Sequence, residues 1–253
     1  MRLLTLARDL RRRKSREKQA LFVVEGIRAV EELLRSPLVK RGILTAPQLA
    51  DAPRGRSLLE TLSSSGIEHS TVTEAEFRSA AETESPQGVL AIAEIPSRSL
   101  EDIAPSGPVR LLVLDAVQDP GNVGTILRTA AGLGIDATIA LPGTVDLWNA
   151  KVVRSAMGAH FHHRAFHTST EALITFLTSQ SVALWASEAS GQAVESVDAP
   201  ERLALAVGNE GAGLSSTLRE RAEITVSLPI TDTVESLNVA VATGILLYEL
   251  RKS

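Results

Sequence analysis

Residues 225–251 read TVSLPITDTVESLNVAVATGILLYELR, a strand-like start, a polar turn and a helix that is apolar on nearly every side. Between residues 237 and 250 only Asn238, Thr243, Tyr248 and Glu249 carry strong polar groups. A helix without a polar face must be buried on most sides, and this one is too short and too interrupted to cross a bilayer. Ser236 stands where an N-cap belongs. The helix is therefore expected to open beside the loop 229–235 and to aim its unpaired N–H groups at whatever occupies it. A buried helix with a polar mouth marks a candidate site.

Composition bounds the rest. A chain of 253 residues with 44% hydrophobic side chains can build one large core or two ordinary ones. It contains no cysteine, which excludes disulfides, thiolate metal sites and cysteine nucleophiles. No run is long and apolar enough to span a membrane, and the basic N-terminal stretch lacks a following apolar signal core. A soluble cytoplasmic protein is expected. The net charge of -4 is unevenly placed: residues 1–20 hold eight basic side chains against Asp9 and Glu17, locally +6, so the remainder sums to -10. Arg8, Arg11, Arg12, Arg13, Lys14 and Arg16 are the candidates to grip the phosphates of a nucleic acid; by charge alone a solvated surface helix explains them equally well.

Taken in order, residues 1–20 read as a cationic helix, 21–24 as a buried strand ending at Glu25-Gly26, and 27–34 as a helix. Strands at 39–44, 67–72 and 89–93 alternate with helices at 58–64 and 74–80, the pattern of a small α/β domain. Pro96, Pro105, Gly107 and Pro108 break the periodicity, so the expected layout is a domain over 1–95, a linker over 96–108 and a second domain over 109–253. The second domain opens with the continuous apolar strand 109–115, the kind buried on both faces of a parallel sheet. Helices at 121–133, 147–157, 172–178 and 216–221 then alternate with strands at 137–141, 182–186, 203–207 and 224–228.

Two further stretches stand out in this second domain. Asp119-Pro120-Gly121-Asn122-Val123-Gly124 is a strand-to-helix turn that offers backbone N–H groups to an anion, but Gly124-Thr125 lacks the lysine of a Walker A loop. Gly208-Asn209-Glu210-Gly211-Ala212-Gly213 departs from the G-x-G-x-x-G order of a dinucleotide turn and lies too late in the domain for one. Arg128, among Ile126, Leu127, Ala130 and Ala131, needs a partner, whether Glu210, Asp115, solvent by snorkelling, or a ligand phosphate. His160, His162, His163 and His167 invite a metal reading, but no carboxylate shares their segment, and no metal site is expected. Aromatic residues are only 3%, so an RNA partner would be held through phosphate, sugar and shape more than by stacking.

The stretches LDAVQDPGNVGTILRTA, ALAVGNEGAGLS and SLN, in this order, resemble the three motifs of the SpoU (TrmH) family of RNA 2'-O-ribose methyltransferases in the SPOUT superfamily. Glu25-Gly26 and SPQGVLA at 85–91 resemble the N-terminal domain of its ribosomal-RNA members. The resemblance implies an α/β protein, with a small N-terminal α/β RNA-binding domain before a C-terminal α/β trefoil knot on a parallel sheet, dimerised through its last helix. It implies transfer of a methyl group from S-adenosylmethionine to a ribose 2'-hydroxyl of structured RNA, with large-subunit (23S) ribosomal RNA expected. A transfer-RNA enzyme and a ribosome-assembly factor that no longer methylates are the alternatives. Asn122, Arg128, Glu210, Ser236 and Asn238 fall on the positions that border the reacting groups. Gly208, Asn209, Gly211, Leu228, Ile230 and Leu237 fall on those that cradle the methyl donor. A guanidinium is a poor proton acceptor, so Arg128 is read as orienting the hydroxyl, with the base unassigned.

Overall fold

The computed structural model describes residues 3–103, 106–231 and 233–251. Arg2, Pro105 and Asp232, read above as part of the basic segment, the linker and the loop, lie outside them. The chain divides into two compact units: residues up to Ser97 with Trp148–His162, and Arg98–Leu147 with His163 onward.

The first unit begins with α1 (Leu3–Asp9) and α2 (Arg13–Gln19), two helices where the charge pattern predicts one. The break follows from Leu10, which turns inward to join Leu3, Ala7, Phe77 and Leu90 in the core. Arg16 then departs from its expected role. Its side chain is buried and its guanidinium donates to the carbonyls of Leu10 (2.8 Å) and Arg11 (2.9 Å), closing the end of α1 instead of facing solvent. Strands β1 (Leu21–Glu25), β2 (Lys40–Thr45), β3 (His69–Thr71) and β4 (Val89–Glu94) form a sheet of order β1-β4-β2-β3, with β4 antiparallel to both neighbours. Helices α3 (Ile27–Arg35), α4 (Pro53–Ser64) and α5 (Glu74–Ala80) flank it in sequence. α4 starts five residues ahead of the expected Leu58, because Pro53 at its first position is already set for a helix.

The second unit opens with β5 (Val109–Asp115), α6 (Pro120–Gly132) and β6 (Ala137–Ala140). The chain then leaves it at Leu147 for α7 (Ala150–Ser155), a segment expected in the second domain but grouped with the first unit. There the Trp148 ring lies 4.4 Å from that of Phe22, and Arg154 pairs with the buried Glu25 carboxylate at 3.6 Å. After the return, β7 (Ala165–His167), α8 (Thr170–Ser179), β8 (Ala183–Ala193), β9 (Arg202–Gly208), α9 (Ser216–Arg221), β10 (Ile224–Ser227) and α10 (Val239–Leu250) complete the unit. Its six strands are all parallel, in the order β10-β8-β9-β5-β6-β7. Leu111, Val113, Ile139, Leu184 and Ala204 of the sheet pack with Leu173 and Leu177 of α8 and Leu218 of α9. Leu100 and Ile103 of the expected linker join the same core, so that stretch is folded onto the unit it precedes.

Two local departures shape the C-terminal edge of this sheet. β8 runs past the expected Ala186, because Thr225 pairs with Ala186 and the next residue, Val226, pairs with Gln192; residues 187–191 bulge out between them. α10 starts at Val239, not beside Ser236, because the Asn238 side chain accepts from the N–H groups of Ala240 (2.9 Å) and Val241 (3.3 Å). α10 packs against α6 and β9, so the chain doubles back from the sheet edge at β10. This agrees with the knotted threading that the resemblance implies.

His163 is buried, with Nε2 2.8 Å from the Thr138 hydroxyl, and Arg98 donates to its carbonyl. Burial, helped by the nearby Arg98 charge, lowers its pKa to about 4. The unfolded chain takes up this proton near pH 6.5 and the folded chain only near 4, so the stability His163 permits is complete above 6.5 and is lost as the pH falls towards 4. Chemical denaturation at pH 7 and pH 5 should differ by roughly 2 kcal/mol from this group, and His163→Gln should flatten that slope.

Candidate active site

The three motifs meet at the C-terminal ends of the parallel strands. β5 ends at the buried Asp115, whose carboxylate accepts from Ser215 N–H at 2.7 Å. Ala116 turns the chain with φ +56°, and α6 opens on Asp119, which accepts from Asn122 N–H at 2.8 Å, with Pro120 in its first turn. β9 ends at Gly208, after which the chain folds back so that Asn209 and Gly213 exchange backbone hydrogen bonds of 3.0 and 2.9 Å. A Cβ at 208 would lie 2.3 Å from the Gly213 carbonyl carbon, so that hairpin requires glycine.

Side chains link the motifs. Asn122 Nδ2 donates to Glu210 Oε1 at 2.8 Å, and Asn238 Nδ2 donates to Asn122 Oδ1 at 3.0 Å. The chain Glu210–Asn122–Asn238 therefore joins positions 88 and 116 residues apart. Asn238 does two jobs, its oxygen capping α10 while its amide nitrogen holds Asn122.

A cavity of about 640 Å³ lies against this chain of hydrogen bonds. Gly208, Asn209, Gly211, Leu228, Ile230 and Leu237 all line it, as do Glu210, Ser236 and Asn238. Asn209 lines it with its carboxamide oxygen committed to the N–H groups of Gly211 and Ala212. Asn122 and Arg128 are not among the lining residues; Asn122 reaches the cavity through Glu210 and Asn238. Arg128 is exposed on α6 and makes no ion pair among the described residues, and its two expected protein partners are engaged elsewhere, Glu210 with Asn122 and Asp115 with Ser215. Two charged lining residues outside the motifs, Glu188 and Arg219, escaped the sequence reading. Glu188 comes from the β8 bulge and pairs with Arg219 of α9 at 2.5 Å. A bulge leaves no periodic mark, so nothing in the stretch ASEASG flags that glutamate.

The four histidines have separate surroundings. The His160 ring meets Trp148 edge-on at 4.1 Å, His162 is exposed 3.3 Å from Glu32, His163 faces Thr138, and His167 Nε2 accepts from Leu147 N–H. Among the described residues no three His, Asp or Glu side chains gather as a metal-ligand set. In the first unit Arg8, Arg11, Arg12, Arg13 and Lys14 are exposed. Arg8 donates to the Ser79 hydroxyl at 2.8 Å and Arg13 pairs with Glu17 at 2.7 Å.

At the strand ends of a parallel α/β sheet the second and third motifs line one cavity and Asn122 of the first is tied to both, an arrangement that fits a SPOUT-type methyltransferase scaffold. Residues 110–248 match the SpoU rRNA methylase family, and residues 5–91 match the MRM3-like substrate-binding domain. The chain belongs to the SpoU rRNA methylase family. It is 37% identical over 245 residues to the 23S rRNA (guanosine(2553)-2'-O)-methyltransferase RlmP of Bacillus subtilis, covering 96% of this chain and 94% of that one. The SpoU methyltransferase AviRb of Streptomyces viridochromogenes, solved in complex with the cofactor AdoMet, superposes with a TM-score of 0.89 at 26% identity, over 100% of this chain and 97% of that one. An AdoMet-bound rRNA methyltransferase from Sinorhizobium meliloti gives 0.86 at 28% identity, over 99% and 94%.

The two jobs of Asn238 are separable. Asn238→Ala should cost about 1 kcal/mol of stability through the lost cap, and Asn238→Ser should restore most of it, because a hydroxyl can still cap the helix. Melting temperatures of the three proteins check this without any ligand.

Proposed function

We propose that the protein is a cytoplasmic, homodimeric S-adenosylmethionine-dependent methyltransferase that methylates a ribose 2'-hydroxyl of 23S ribosomal RNA. The observation that carries the reading is the hydrogen-bonded chain Glu210–Asn122–Asn238 beside a cavity lined by the second and third motifs. Likeness to RlmP along nearly the whole chain, substrate-binding domain included, supports 23S ribosomal RNA as the substrate, and RlmP's guanosine is the first nucleotide to test.

The residues present suit the donor. The volume falls within the range of small-molecule sites, and Leu228, Leu237 and Leu246 offer an apolar wall for a purine. Glu188, Glu210 and Glu235 against Arg219 give the described lining a negative balance suited to a sulfonium. Gly208, Asn209, Gly211, Leu228, Ile230 and Leu237 hold the donor, the first three through backbone folded back by the hairpin after Gly208. When bound, S-adenosylmethionine supplies an electrophilic methyl carbon.

The chain's own part is alignment. Displacement at a methyl carbon requires the 2'-oxygen in line with the leaving sulfur, so positioning supplies most of the rate. Asn122, fixed between Glu210 and Asn238, and Ser236 border the reacting groups. Arg128, with no anion of the described residues on it, presents its fork of donors to the target ribose and phosphate. Arg8, Arg11, Arg12, Arg13 and Lys14 add phosphate contacts on the substrate-binding domain.

Tritium transfer from the labelled donor to ribosomal RNA, with primer extension at low nucleotide concentration to map the stop, tests the reading. A defined stop in 23S RNA is expected. Arg128→Ala should lower transfer by about 100-fold while leaving the melting temperature unchanged, since the side chain is exposed and unpaired with any described residue. No methyl transfer to any RNA by a folded, donor-binding protein would instead favour an assembly factor.

The dimer rests on α10. Val241, Ile245 and Tyr248 are 52%, 41% and 43% exposed and follow one another at helical spacing, forming an apolar face continuous with Thr125 and Thr129 of α6. A second copy laid on this face would bury it by two-fold symmetry. Ile245→Glu should shift the protein to monomer in sedimentation velocity.

A further inference from the structure

We propose that Asn209 is a positioning residue for methyl transfer, tying the second-motif loop to the first-motif loop so that Glu210 is held against Asn122; this rests on the methyltransferase reading above. Its carboxamide is used on protein backbone. Nδ2 donates to the Ala116 carbonyl at 3.0 Å, and Oδ1 accepts from the N–H groups of Gly211 and Ala212, both at 2.9 Å. An amide oxygen has two lone pairs, so this one has no capacity left for a ligand. The residue's backbone is fixed as well, by its hydrogen-bonded exchange with Gly213.

Two cross-links thus run side by side between the same two loops. Residue 209 reaches back to Ala116, and residue 210 reaches to Asn122. The first link depends on an unusual acceptor. Ala116 sits at φ +56°, a left-handed conformation that non-glycine residues seldom adopt, and in it the carbonyl faces the Asn209 amide. Among the described residues no hydrogen bond joins Asn209 to Asn122 or Asn238, so its influence on the reacting groups passes through Glu210. The two halves of the carboxamide have different duties. The oxygen shapes the loop that floors the cavity, and the nitrogen sets the loop's distance from the first motif.

Asn209→Asp separates these duties, keeping an acceptor for Gly211 and Ala212 while placing an oxygen where the donor to Ala116 stood. Asn209→Ala removes both. Measurements on the full-length protein are melting temperature, calorimetric affinity for S-adenosylhomocysteine without RNA, and kcat and KM for transfer to ribosomal RNA. Asn209→Asp is expected to bind the product within about threefold of wild type, and to lose about tenfold or more in kcat with KM for RNA unchanged. Combined with Asn122→Ala it should be no slower than Asn122→Ala alone, because both changes break one unit. Asn209→Ala is expected to lose about tenfold in product affinity as well.

Wild-type kcat in Asn209→Asp would overturn the proposal, as would losses that multiply with those of Asn122→Ala. A parallel fall of stability, product affinity and kcat in Asn209→Asp would reduce the residue to a structural one, which also overturns it. A wild-type protein that binds product but moves no methyl group sinks the methyltransferase reading and this proposal together; an active wild type beside a fully active Asn209→Asp sinks only the proposal.

Discussion

The hydrogen bonds through Asn122 are the constraint on which the rest of the catalytic unit depends. A carboxamide can donate to one neighbour and accept from another at the same time, and here it does so between Glu210 and Asn238. Each of the three sits just past the end of a different strand or at the start of a helix, so the side-chain chain forms only if β5, β9 and the segment after β10 end at one edge. An all-parallel sheet brings its strand ends to one side by construction, and the crevice there is where open α/β sheets bind ligands. The sheet order β10-β8-β9-β5 sets β5 beside β9, which leaves the return of residues 228–238 as the step that completes the site.

That return explains why α10 looks as it does. Its first turn must meet Asn122, one side packs against α6 and β9, and Val241, Ile245 and Tyr248 remain outside. A helix apolar all round is the sequence solution when one side faces a core and the other, in the proposed dimer, faces a second copy. The sequence pattern carries both demands but cannot apportion them, since a residue facing its own core and one facing a second copy are chosen by the same physics.

Much of the fold was legible because its elements are locally consistent. α5 spans its expected residues 74–80 and is opened by a capping box from Thr73 to Glu76, β5 follows its continuous apolar run, and α9 spans its expected residues 216–221. What escaped was set by tertiary contacts. The break at Leu10 reflects a core that only the folded unit presents, and the move of the α10 cap from Ser236 to Asn238 reflects competition between two good capping residues two positions apart. The grouping of Trp148–His162 with the first unit follows from aromatic packing on Phe22 and the buried pair Arg154–Glu25, neither visible to a local pattern. The site residues were read by motif, and the structure brings Asn122, Glu210 and Asn238 together. Glu188 and Arg219 lay outside every motif and were missed.

The separation of Arg128 from its neighbours bears on how the reaction is divided among the residues. A buried cation without a partner is costly, so an arginine meant for structure would be expected in a pair, as Arg154 is with Glu25 and Arg219 with Glu188. Arg128 is exposed and has no such pair among the described residues, while both carboxylates that could have taken it are held by other donors. These two carboxylates are thereby withheld from the guanidinium that the proposed function gives to the RNA. A phosphate approaching α6 then meets a cation that need not first be released from a competing acid, and the same hydrogen bonds that hold Glu210 on Asn122 keep it from becoming that competitor.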